Sequence, residues 1–492
     1  MQSSSPKLPK DFLLGGAISA SQAEGAYNVD GRGLETQDLR FFDAKWNRAA
    51  RDQHRNLNIN LSEYQQAIKS TETKNYPLRR GIDFYHHYPD DIKLLAASGL
   101  KIFRTSISWG RIYPDGDESE PNQAGLNYYR KLFETCHKYG MQVFVTILHY
   151  SVPVHLVEAY NGWQNRQMID FYLKLAKTLF EHLGQLVDYW LPFNEINASR
   201  FNPYNGVALI RDSFENEQDY LQASFQALHH QFVANASVIH LGHKMLPGSK
   251  FGGMIARFTT YPATCKPADV FKAYTDENIK NYFYTDVEAR GYYPTYIQKY
   301  FNQYHISIET TPEDTKLLKE NTVDFLSFSY YMSMVDTVDQ KKYHSTSGNL
   351  VSGLKNPYLK TSEWGWQIDP EGLRTSLNSM YDRYQLPLFI AENGIGARDT
   401  LNNNTVEDSY RIDYIAAHLN EISKAIFEDG VPVIGYTLWG IIDIVSCGTL
   451  EMSKRYGIIY VDLDDAGHGT GNRYLKKSYY WLQQLLSTTK RS

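Results

Sequence analysis

The sequence has few cysteines and no long apolar run, and both shortages exclude whole classes of protein. Cys136, Cys265 and Cys447 are an odd number without paired spacing, unlike a disulfide framework or a cysteine zinc site. No run of about 18 apolar residues could cross a membrane, and the first residues lack the apolar stretch of a signal peptide. We therefore expect a soluble chain in the reducing cytoplasm, with no membrane partner.

The sequence also lacks an excess of either charge. Its 50 Lys and Arg residues nearly balance 55 Asp and Glu residues, which gives a formal net charge of −5. No basic face is available to attract nucleic acid, so no nucleic-acid partner is expected. A glycine-rich dinucleotide turn and a clustered metal-ligand signature are both missing, so the sequence implies no cofactor and no metal. Whether the chain forms a homo-oligomer stays open.

What the sequence does contain is a regular alternation of short apolar runs and amphipathic segments. Helical spacing of apolar residues is clear in residues 88–97 and 168–183. Eight apolar runs are predicted to be strands, and they begin at Phe12, Leu100, Gln142, Val187, Phe251, Phe325, Pro387 and Val433. Eight strand and helix units in 492 residues predict an α/β fold, a (β/α)8 TIM barrel, as a single domain over residues 1–492. The polar residues 38–81 are predicted to form an elaborated loop after the first strand.

Polar side chains close several of these runs, where the active face of a (β/α)8 barrel lies. The fourth run ends in Asn194 and Glu195, the seventh in Glu392 and the third in His149, and the second carries Arg104. Two carboxylates that face each other across a pocket match glycoside hydrolysis, in which one protonates the leaving oxygen and the other attacks the anomeric carbon. A single Glu at a strand end is equally a helix cap, so the surrounding motifs decide.

Five sequence blocks in order carry a resemblance to glycoside hydrolase family 1. They read GGAISASQAEGA at residues 15–26, FRTSISWGRIYP at 103–114, FNEI at 193–196, IAENG at 390–394 and KRYGIIYVD at 454–462. The resemblance extends over residues 12–481, and it implies that Glu195 is the general acid/base and Glu392 the nucleophile. Such a pair, about 5 to 5.5 Å apart, hydrolyses glycosides with retention of the anomeric configuration.

The same resemblance assigns the neighbours of the two carboxylates. A cation and a phenol are expected to keep Glu392 ionised, while Glu195 keeps a raised pKa. Arg104 and Tyr331 are the residues in those two positions. Trp366 lies in a segment that resembles the aglycone loop, as a platform or as packing. The resemblance implies that the sugar in the −1 subsite is held by Gln22, His149, Asn194 and Trp439. The chain departs from the family pattern at Tyr150, Ile196, Ser329 and Ala391.

The stretch after Trp439 carries the prediction about substrate. Family members that act on unphosphorylated glucosides usually have a Glu at the seventh position after that Trp and then a second Trp, whereas this chain has Ser446 and Cys447. A Glu there would repel a 6-phosphate. The resemblance implies that Ser446, Lys454 and Tyr456 bind phosphate. The predicted substrate is a small phosphorylated β-glucoside, hydrolysed to glucose 6-phosphate, and the small side chain of Cys447 favours the gluco over the galacto configuration.

Other functions stay open from the sequence alone. An unphosphorylated β-glucosidase with a broad pocket, or a 6-phospho-β-galactosidase, would carry the same two carboxylates. Lys454 and Arg455 also occur in unphosphorylated relatives, and on that interpretation they are solvated loop charges. A sugar-binding barrel without catalysis is disfavoured, because Glu195 and Glu392 are both present.

Overall fold

Eight parallel strands close into a barrel in this computed structural model, which describes residues 6–46, 59–348 and 350–489. Each strand pairs with its neighbours in chain order, and the first strand closes the barrel against the last. Each predicted run contains one strand, so the predicted (β/α)8 barrel is confirmed. The strands, β1 to β8, are Leu13–Ala17, Ile102–Ser106, Gln142–Leu148, Tyr189–Phe193, Lys250–Ala256, Phe325–Ser329, Leu388–Asn393 and Val433–Trp439.

Each strand is followed by a helix that packs outside the barrel. Apolar residues of the helices and of the outward strand faces form one continuous buried cluster. The eight helices, α1 to α8, are Phe84–Ala97, Gln123–Lys138, Met168–Leu183, Glu217–Met245, Phe283–Arg290, Pro370–Tyr384, Ser409–Phe427 and Lys477–Thr489. Further helices include Ala20–Ala23, Leu61–Lys69, Pro77–Arg80, Trp109–Ile112, Val154–Tyr160, Ala198–Phe201, Pro203–Val207, Pro267–Glu277, Thr295–Gln303 and Pro312–Glu320. None of the helices in the described ranges is long and apolar enough to cross a membrane.

Three pairs of short strands lie in the loops that follow β5, β6 and β8. Thr260–Pro262 pairs with Met334–Asp336, Ser345–Thr346 with Gly353–Leu354, and Ile459–Val461 with Arg473–Leu475. The first two pairs follow β5 and β6, and the third lies between β8 and α8. They stiffen the long connections at the end of the barrel where the strands finish.

Side chains fill the interior of the barrel. Each of β1 to β7 contributes at least one apolar residue to this inner cluster, which comprises Leu13, Ile102, Phe144, Leu191, Met254, Phe325, Phe389 and Ala391. The rings of Phe144 and Phe389 meet edge to face, with centroids 4.9 Å apart. A Cβ atom on Gly15 would lie 2.2 Å from the carbonyl oxygen of Ile102, so the close pairing of β1 with β2 requires glycine there. The filled interior gives the cavity at the strand ends a solid floor.

The polar residues 38–81 are only partly the loop that the sequence predicted. They contain the helix Leu61–Lys69, while residues 47–58 lie outside the described part of the chain. This helix begins with a reciprocal cap, in which the Asn60 side chain accepts from the backbone of Glu63 and the Glu63 side chain accepts from the backbone of Asn60. Its apolar residues Leu61, Tyr64 and Ile68 recur at helical spacing, but the signal extends over only nine residues of a polar stretch.

A buried network of ion pairs joins the loops after β7 and β8. Asp443 accepts from Lys476 Nζ at 2.7 Å and from Arg455 Nη1 at 3.0 Å. Lys476 also contacts Asp399, which in turn pairs with Arg411 at 3.1 Å. The side chains of Lys476 and Asp443 are fully buried. Because each charge in the network has an opposite partner, the network tolerates removal from water, but loss of one member leaves the others uncompensated.

Replacing Asp443 by Ala should therefore destabilise the fold. We expect the free energy of unfolding to fall by about 3–5 kcal/mol, because Arg455 and Lys476 each lose a buried partner. Guanidinium chloride unfolding followed by circular dichroism measures the change. The matched control is Glu407→Ala, which removes the exposed partner of Lys477 and should cost less than about 1 kcal/mol. Equal losses for the two variants would contradict a structural role for the network.

Candidate active site

One cavity lies where the barrel strands end. Eleven of the twelve predicted site residues line it, and these are Gln22, His149, Asn194, Glu195, Tyr331, Trp366, Glu392, Trp439, Ser446, Lys454 and Tyr456. Most of them belong to the last residue of a strand or to the positions just after it, where side chains from different strands converge. Arg104 is absent from the lining, because its side chain lies behind Glu392 and is 1% exposed.

The Glu392 carboxylate is held by a cation and a phenol. Arg104 Nη1 donates to one carboxylate oxygen at 2.7 Å, and the Tyr331 hydroxyl donates to the other at 2.8 Å. Burial raises the pKa of Glu392 above its ordinary value, and the Arg104 guanidinium and the Tyr331 hydroxyl oppose that rise. Both partners favour the ionised carboxylate.

Glu195 lies in the same cavity, and hydroxyl groups donate to both of its carboxylate oxygens. The Ser329 hydroxyl donates to its Oε1 and the Tyr150 hydroxyl to its Oε2. Burial, with the charge of Glu392 as the next cause, raises the pKa of Glu195 to about 7. Since Glu392 has Arg104 against it and Glu195 faces the charge of Glu392, Glu392 loses its proton first and Glu195 keeps its own to higher pH.

The predicted sugar-binding residues present rings and amide groups to the cavity. The His149 ring lies over Trp439 with centroids 5.6 Å apart and an angle of 22° between the planes. Burial, with a smaller contribution from Arg104, lowers the pKa of His149 well below its ordinary value, so the imidazole is neutral. Asn194 Oδ1 accepts from Arg104 at 2.7 Å, whereas Asn194 Nδ2 is buried without a partner among the described residues. That amide donor is available to a hydroxyl in the cavity.

Gln22 lies on the short helix Ala20–Ala23 after β1, and its amide is already bonded at both ends. Its Nε2 donates to the carbonyl oxygen of Val445 at 2.7 Å, and its Oε1 accepts from Ser19 at 2.7 Å. An amide has two hydrogens on nitrogen and two lone pairs on oxygen, so one donor and one acceptor position remain. The bond to Val445 also ties Gln22 to the residue that precedes Ser446.

Lys454 is buried at the other end of the cavity, among aromatic rings. Its Nζ lies 3.9 Å from the centroid of the Trp366 ring, 5.6 Å from that of Trp364 and 5.7 Å from that of Tyr456. The side chain is 1% exposed, so the interpretation of Lys454 as a solvated loop charge is wrong. Arg455 is likewise buried, and it pairs with Asp443 in the ion-pair network that joins the loops after β7 and β8. Ser446 and Tyr456 line the same cavity as Lys454, so the three predicted phosphate ligands lie in one site.

Trp366 lies between the two ends of the site. Its ring contacts that of Tyr331 at 5.2 Å and that of Tyr456 at 6.5 Å, and it is 7% exposed. Tyr331 donates a hydrogen bond to the Glu392 carboxylate, and the Nζ of Lys454 lies over the ring of Trp366. Trp366 thus packs against residues of both groups while lining the cavity.

Tyr150 and Ser329 are the residues whose contacts the motifs did not indicate. Both were recognised only as departures from the family pattern, and both donate a hydrogen bond to Glu195. Tyr150 and Glu195 also have positive φ angles, of 69° and 38°, which non-glycine residues seldom adopt. A departure at a position next to a catalytic motif was the only signal in the sequence.

The loops after β4, β6 and β8 complete the cavity with residues that belong to none of the motifs. These are Phe201, Asn202, Asn205, Leu350, Ser352, Cys447 and Gly448, of which only Cys447 was singled out from the sequence. Within the described ranges no group of three or more His, Cys, Asp and Glu side chains is arranged to hold a metal ion.

Comparison with known proteins gives full-length matches. The sequence profile of glycosyl hydrolase family 1 matches residues 4–491. An aryl-phospho-β-D-glucosidase of Bacillus subtilis is 49% identical, with 99% of both chains covered, and a 6-phospho-β-glucosidase of Escherichia coli is 44% identical, with 98% of both covered. A solved family 1 β-glucosidase from Thermotoga maritima has a TM-score of 0.81 at 26% identity, with 99% of both chains covered. The chain therefore belongs to glycosyl hydrolase family 1.

Proposed function

We propose that the chain hydrolyses 6-phospho-β-D-glucosides with retention of configuration, releasing glucose 6-phosphate and an aglycone. The observation that carries the proposal is that one cavity is lined both by the carboxylates Glu195 and Glu392 and by Ser446, Lys454 and Tyr456. The two phospho-β-glucosidases to which the chain is 49% and 44% identical support the same substrate class.

Glu392 is the nucleophile in this proposal. Its two hydrogen bonds, from Arg104 and Tyr331, stabilise the carboxylate that must attack the anomeric carbon. The bond from the anomeric carbon to the leaving oxygen breaks as the bond to a Glu392 oxygen forms. The covalent glycosyl-enzyme that results has inverted configuration at the anomeric carbon.

Glu195 is the acid in the first step and the base in the second. With a pKa of about 7 it keeps a proton in much of the free enzyme near neutral pH, and it gives that proton to the leaving oxygen. It then takes a proton from a water molecule that attacks the glycosyl-enzyme. The second inversion restores the β configuration and frees Glu392.

Four residues are proposed to hold the sugar ring between the carboxylates. The free amide hydrogen of Asn194 suits the 2-hydroxyl, whose hydrogen bond strengthens in the transition state. Neutral His149 and Gln22 supply further donors and acceptors, and Trp439 offers an apolar ring face.

The phosphate is proposed to bind Ser446, Lys454 and Tyr456. Lys454 supplies a cation that three aromatic rings hold in place, and the two hydroxyls supply donors. Position 446 holds Ser rather than the Glu typical of relatives that act on unphosphorylated sugars, so a dianion meets no carboxylate there. The ring of Trp366 packs against Lys454. We therefore propose that Trp366 supports the phosphate ligand Lys454 as well as lining the aglycone side of the cavity.

An unphosphorylated β-glucosidase is the second candidate. It is favoured by the solved β-glucosidase that shares the fold, but at 26% identity that relative is more distant than the two phospho-glucosidases. The gluco configuration is proposed over the galacto because Cys447 leaves the wall beside Ser446 small.

We also propose that the chain works in the cytoplasm. Cys136, Cys265 and Cys447 are all free, as expected for a reducing compartment. A sugar phosphate with nearly two negative charges does not leave a cell by diffusion through lipid, so its hydrolysis belongs where it is made.

Replacing Glu392 by Gly should abolish turnover, with kcat falling by roughly 10⁴-fold or more because the attacking oxygen is lost. Added azide should restore cleavage of an activated aryl 6-phosphoglucoside by attacking from the vacated face. The product should be the α-glycosyl azide, identified by NMR. A β-azide product, or full activity without azide, would rule out Glu392 as the nucleophile.

Replacing Glu195 by Ala should slow substrates with poor leaving groups far more than substrates with activated ones. A dinitrophenolate needs little protonation in the first step, whereas an alkoxide or sugar needs a full proton. Measuring kcat/KM for a series of aryl and alkyl 6-phosphoglucosides tests this. Azide should give the β-azide here, since Glu392 remains. Equal losses across the series would contradict the acid role.

Replacing Lys454 by Ala should weaken transition-state binding of the phosphorylated substrate by about 1.5–3 kcal/mol, with little effect on the plain glucoside. Ser446→Glu should also select against the phosphorylated substrate, because a carboxylate then faces a dianion. The measurement is kcat/KM on matched chromogenic glucoside and glucoside 6-phosphate. Lys454→Met keeps the stem packed on Trp366, and Lys477→Ala is the exposed-lysine control. If both site variants change the two substrates by equal factors, the unphosphorylated β-glucosidase becomes the better account.

A further inference from the structure

Two hydroxyl groups from different strands converge on the side chain of Glu195. Tyr150 follows β3 and Ser329 ends β6, on either side of the residue that follows β4. The hydroxyl of Tyr150 donates to Oε2 of Glu195, and that of Ser329 donates to Oε1. All three side chains are at least nine-tenths buried. Each carboxylate oxygen therefore has its own donor.

We propose that Tyr150 and Ser329 are positioning residues that hold the Glu195 carboxyl from both oxygens and stabilise its ionised form during the double displacement. The inference rests on the proposed role of Glu195 as the acid/base. It assigns a specific function to two positions at which the chain departs from the pattern of its family.

The number of hydrogen bonds that a carboxyl group can accept depends on its protonation state. An ionised carboxylate only accepts, so it can take both hydroxyl donors at once, whereas a protonated carboxyl must itself donate from one oxygen. Hydrogen bonds to a charged acceptor are about twice as strong as those between neutral groups. The pair of donors therefore favours ionised over protonated Glu195, against the effect of burial and of the Glu392 charge.

The two hydroxyls differ in their access to the substrate. Tyr150 lines the cavity, whereas Ser329 is not part of the lining. Ser329 thus fixes one oxygen from the barrel side, and Tyr150 contacts the other from the side where a leaving group arrives. Burial, with the Glu195 charge as the next cause, raises the pKa of Tyr150 well above its ordinary value, so the phenol stays protonated and remains a donor.

Other charged or titratable groups also face Glu195. Glu392 on β7 opposes its ionisation and Arg104 on β2 favours it. Tyr331 after β6 and Cys447 after β8 interact with it more weakly, and burial raises the pKa of both. Glu392 and Arg104 act on Glu195 through their charges, whereas Tyr150 and Ser329 donate hydrogen bonds to it.

The two hydroxyls affect the two proton transfers of the proposed reaction in opposite directions. In the first step the proton of Glu195 goes to the leaving oxygen, and the two hydroxyls stabilise the carboxylate that remains. In the second step that carboxylate takes a proton from water, and the same hydrogen bonds make it a weaker base. Loss of the hydroxyls should therefore slow the first step most, for substrates with poor leaving groups.

The test is the pH dependence of kcat/KM for Tyr150→Phe and Ser329→Ala. The basic limb reports the free-enzyme group that must be protonated, and removing a donor to its ionised form raises its pKa. Each variant should move the basic limb to higher pH by about one unit, with a larger shift in the double variant. The same aryl 6-phosphoglucoside is used throughout, so that titration of its phosphate contributes equally to every profile.

Two controls separate this effect from general damage. Tyr113→Phe removes another buried tyrosine hydroxyl, which is bonded to Thr178, and should leave the basic limb in place. Tyr331→Phe removes a donor to Glu392 and should move the acidic limb instead. An unmoved basic limb in both Tyr150→Phe and Ser329→Ala, or a shift to lower pH, would overturn the proposal.

The profile of Glu195→Ala distinguishes failure of this proposal from failure of the assigned function. Measured on an activated leaving group, it should lack the basic limb altogether. If the limb persists in Glu195→Ala, Glu195 is not the acid and the assigned mechanism is wrong. If the limb disappears there but stays unmoved in the hydroxyl variants, only the role of Tyr150 and Ser329 is refuted.

Discussion

The active site depends on one buried guanidinium. Arg104 leaves β2 beneath the cavity and donates to Glu392, to Asn194 and to the carbonyl oxygen of Ala391. Thr146 Oγ1 on β3 accepts from Nη2 at 3.0 Å and from Nε at 3.2 Å. A single side chain therefore ties β2, β3, β7 and the end of β4 together. Without this cation, two carboxyls in a buried cavity would both be driven towards the neutral form.

Because Arg104 donates directly to Glu392, it stabilises the ionised form of Glu392 more than the ionised form of Glu195. Glu392 accepts directly from the guanidinium, while hydroxyl groups donate to both oxygens of Glu195. The ionised Glu392 then becomes one of the charges that raise the pKa of Glu195. In the proposed mechanism, the difference between the nucleophile and the acid follows from which residue the cation contacts, since both are Glu and both are buried.

The opposite end of the cavity is built by a second set of buried charges. Arg411 on α7 donates to the carbonyl oxygens of Tyr456 and Arg455, and it pairs with Asp408 and Asp399. These bonds hold the backbone of the loop from below. Lys454 lies in the same loop, and its Nζ contacts the aromatic rings of Trp364, Trp366 and Tyr456. Arg411 and Arg455 thus stabilise the backbone of this loop, while Lys454 lines the cavity.

The sequence could predict what strand periodicity and ordered motifs encode. The eight runs gave the barrel, and the strand ends brought Glu195 and Glu392 to one cavity. It could not predict the contacts of Tyr150 and Ser329, because these side chains meet Glu195 only once separate strands are assembled side by side in the barrel. The helix Leu61–Lys69 was not predicted, because its helical spacing of apolar residues extends over only nine residues of a polar stretch.

From the sequence, Lys454 was either a phosphate ligand or a solvated loop charge, and its burial excludes the solvated charge. A Lys-Arg-Tyr segment in a polar loop normally indicates solvated charge, because charged residues are seldom fully buried without partners. Here aromatic rings cover Lys454, and two of them, Trp364 and Trp366, come from the connection between β6 and β7. A lysine that is already partly desolvated loses less hydration when an anion arrives, so its interaction with a dianion is stronger than at an exposed surface. In the proposed complex, the charge of the phosphate adds to that of Glu392 in one enclosed space. Both negative charges disfavour ionisation of Glu195, so binding of a phosphorylated sugar itself helps to keep the acid protonated until the leaving oxygen takes its proton.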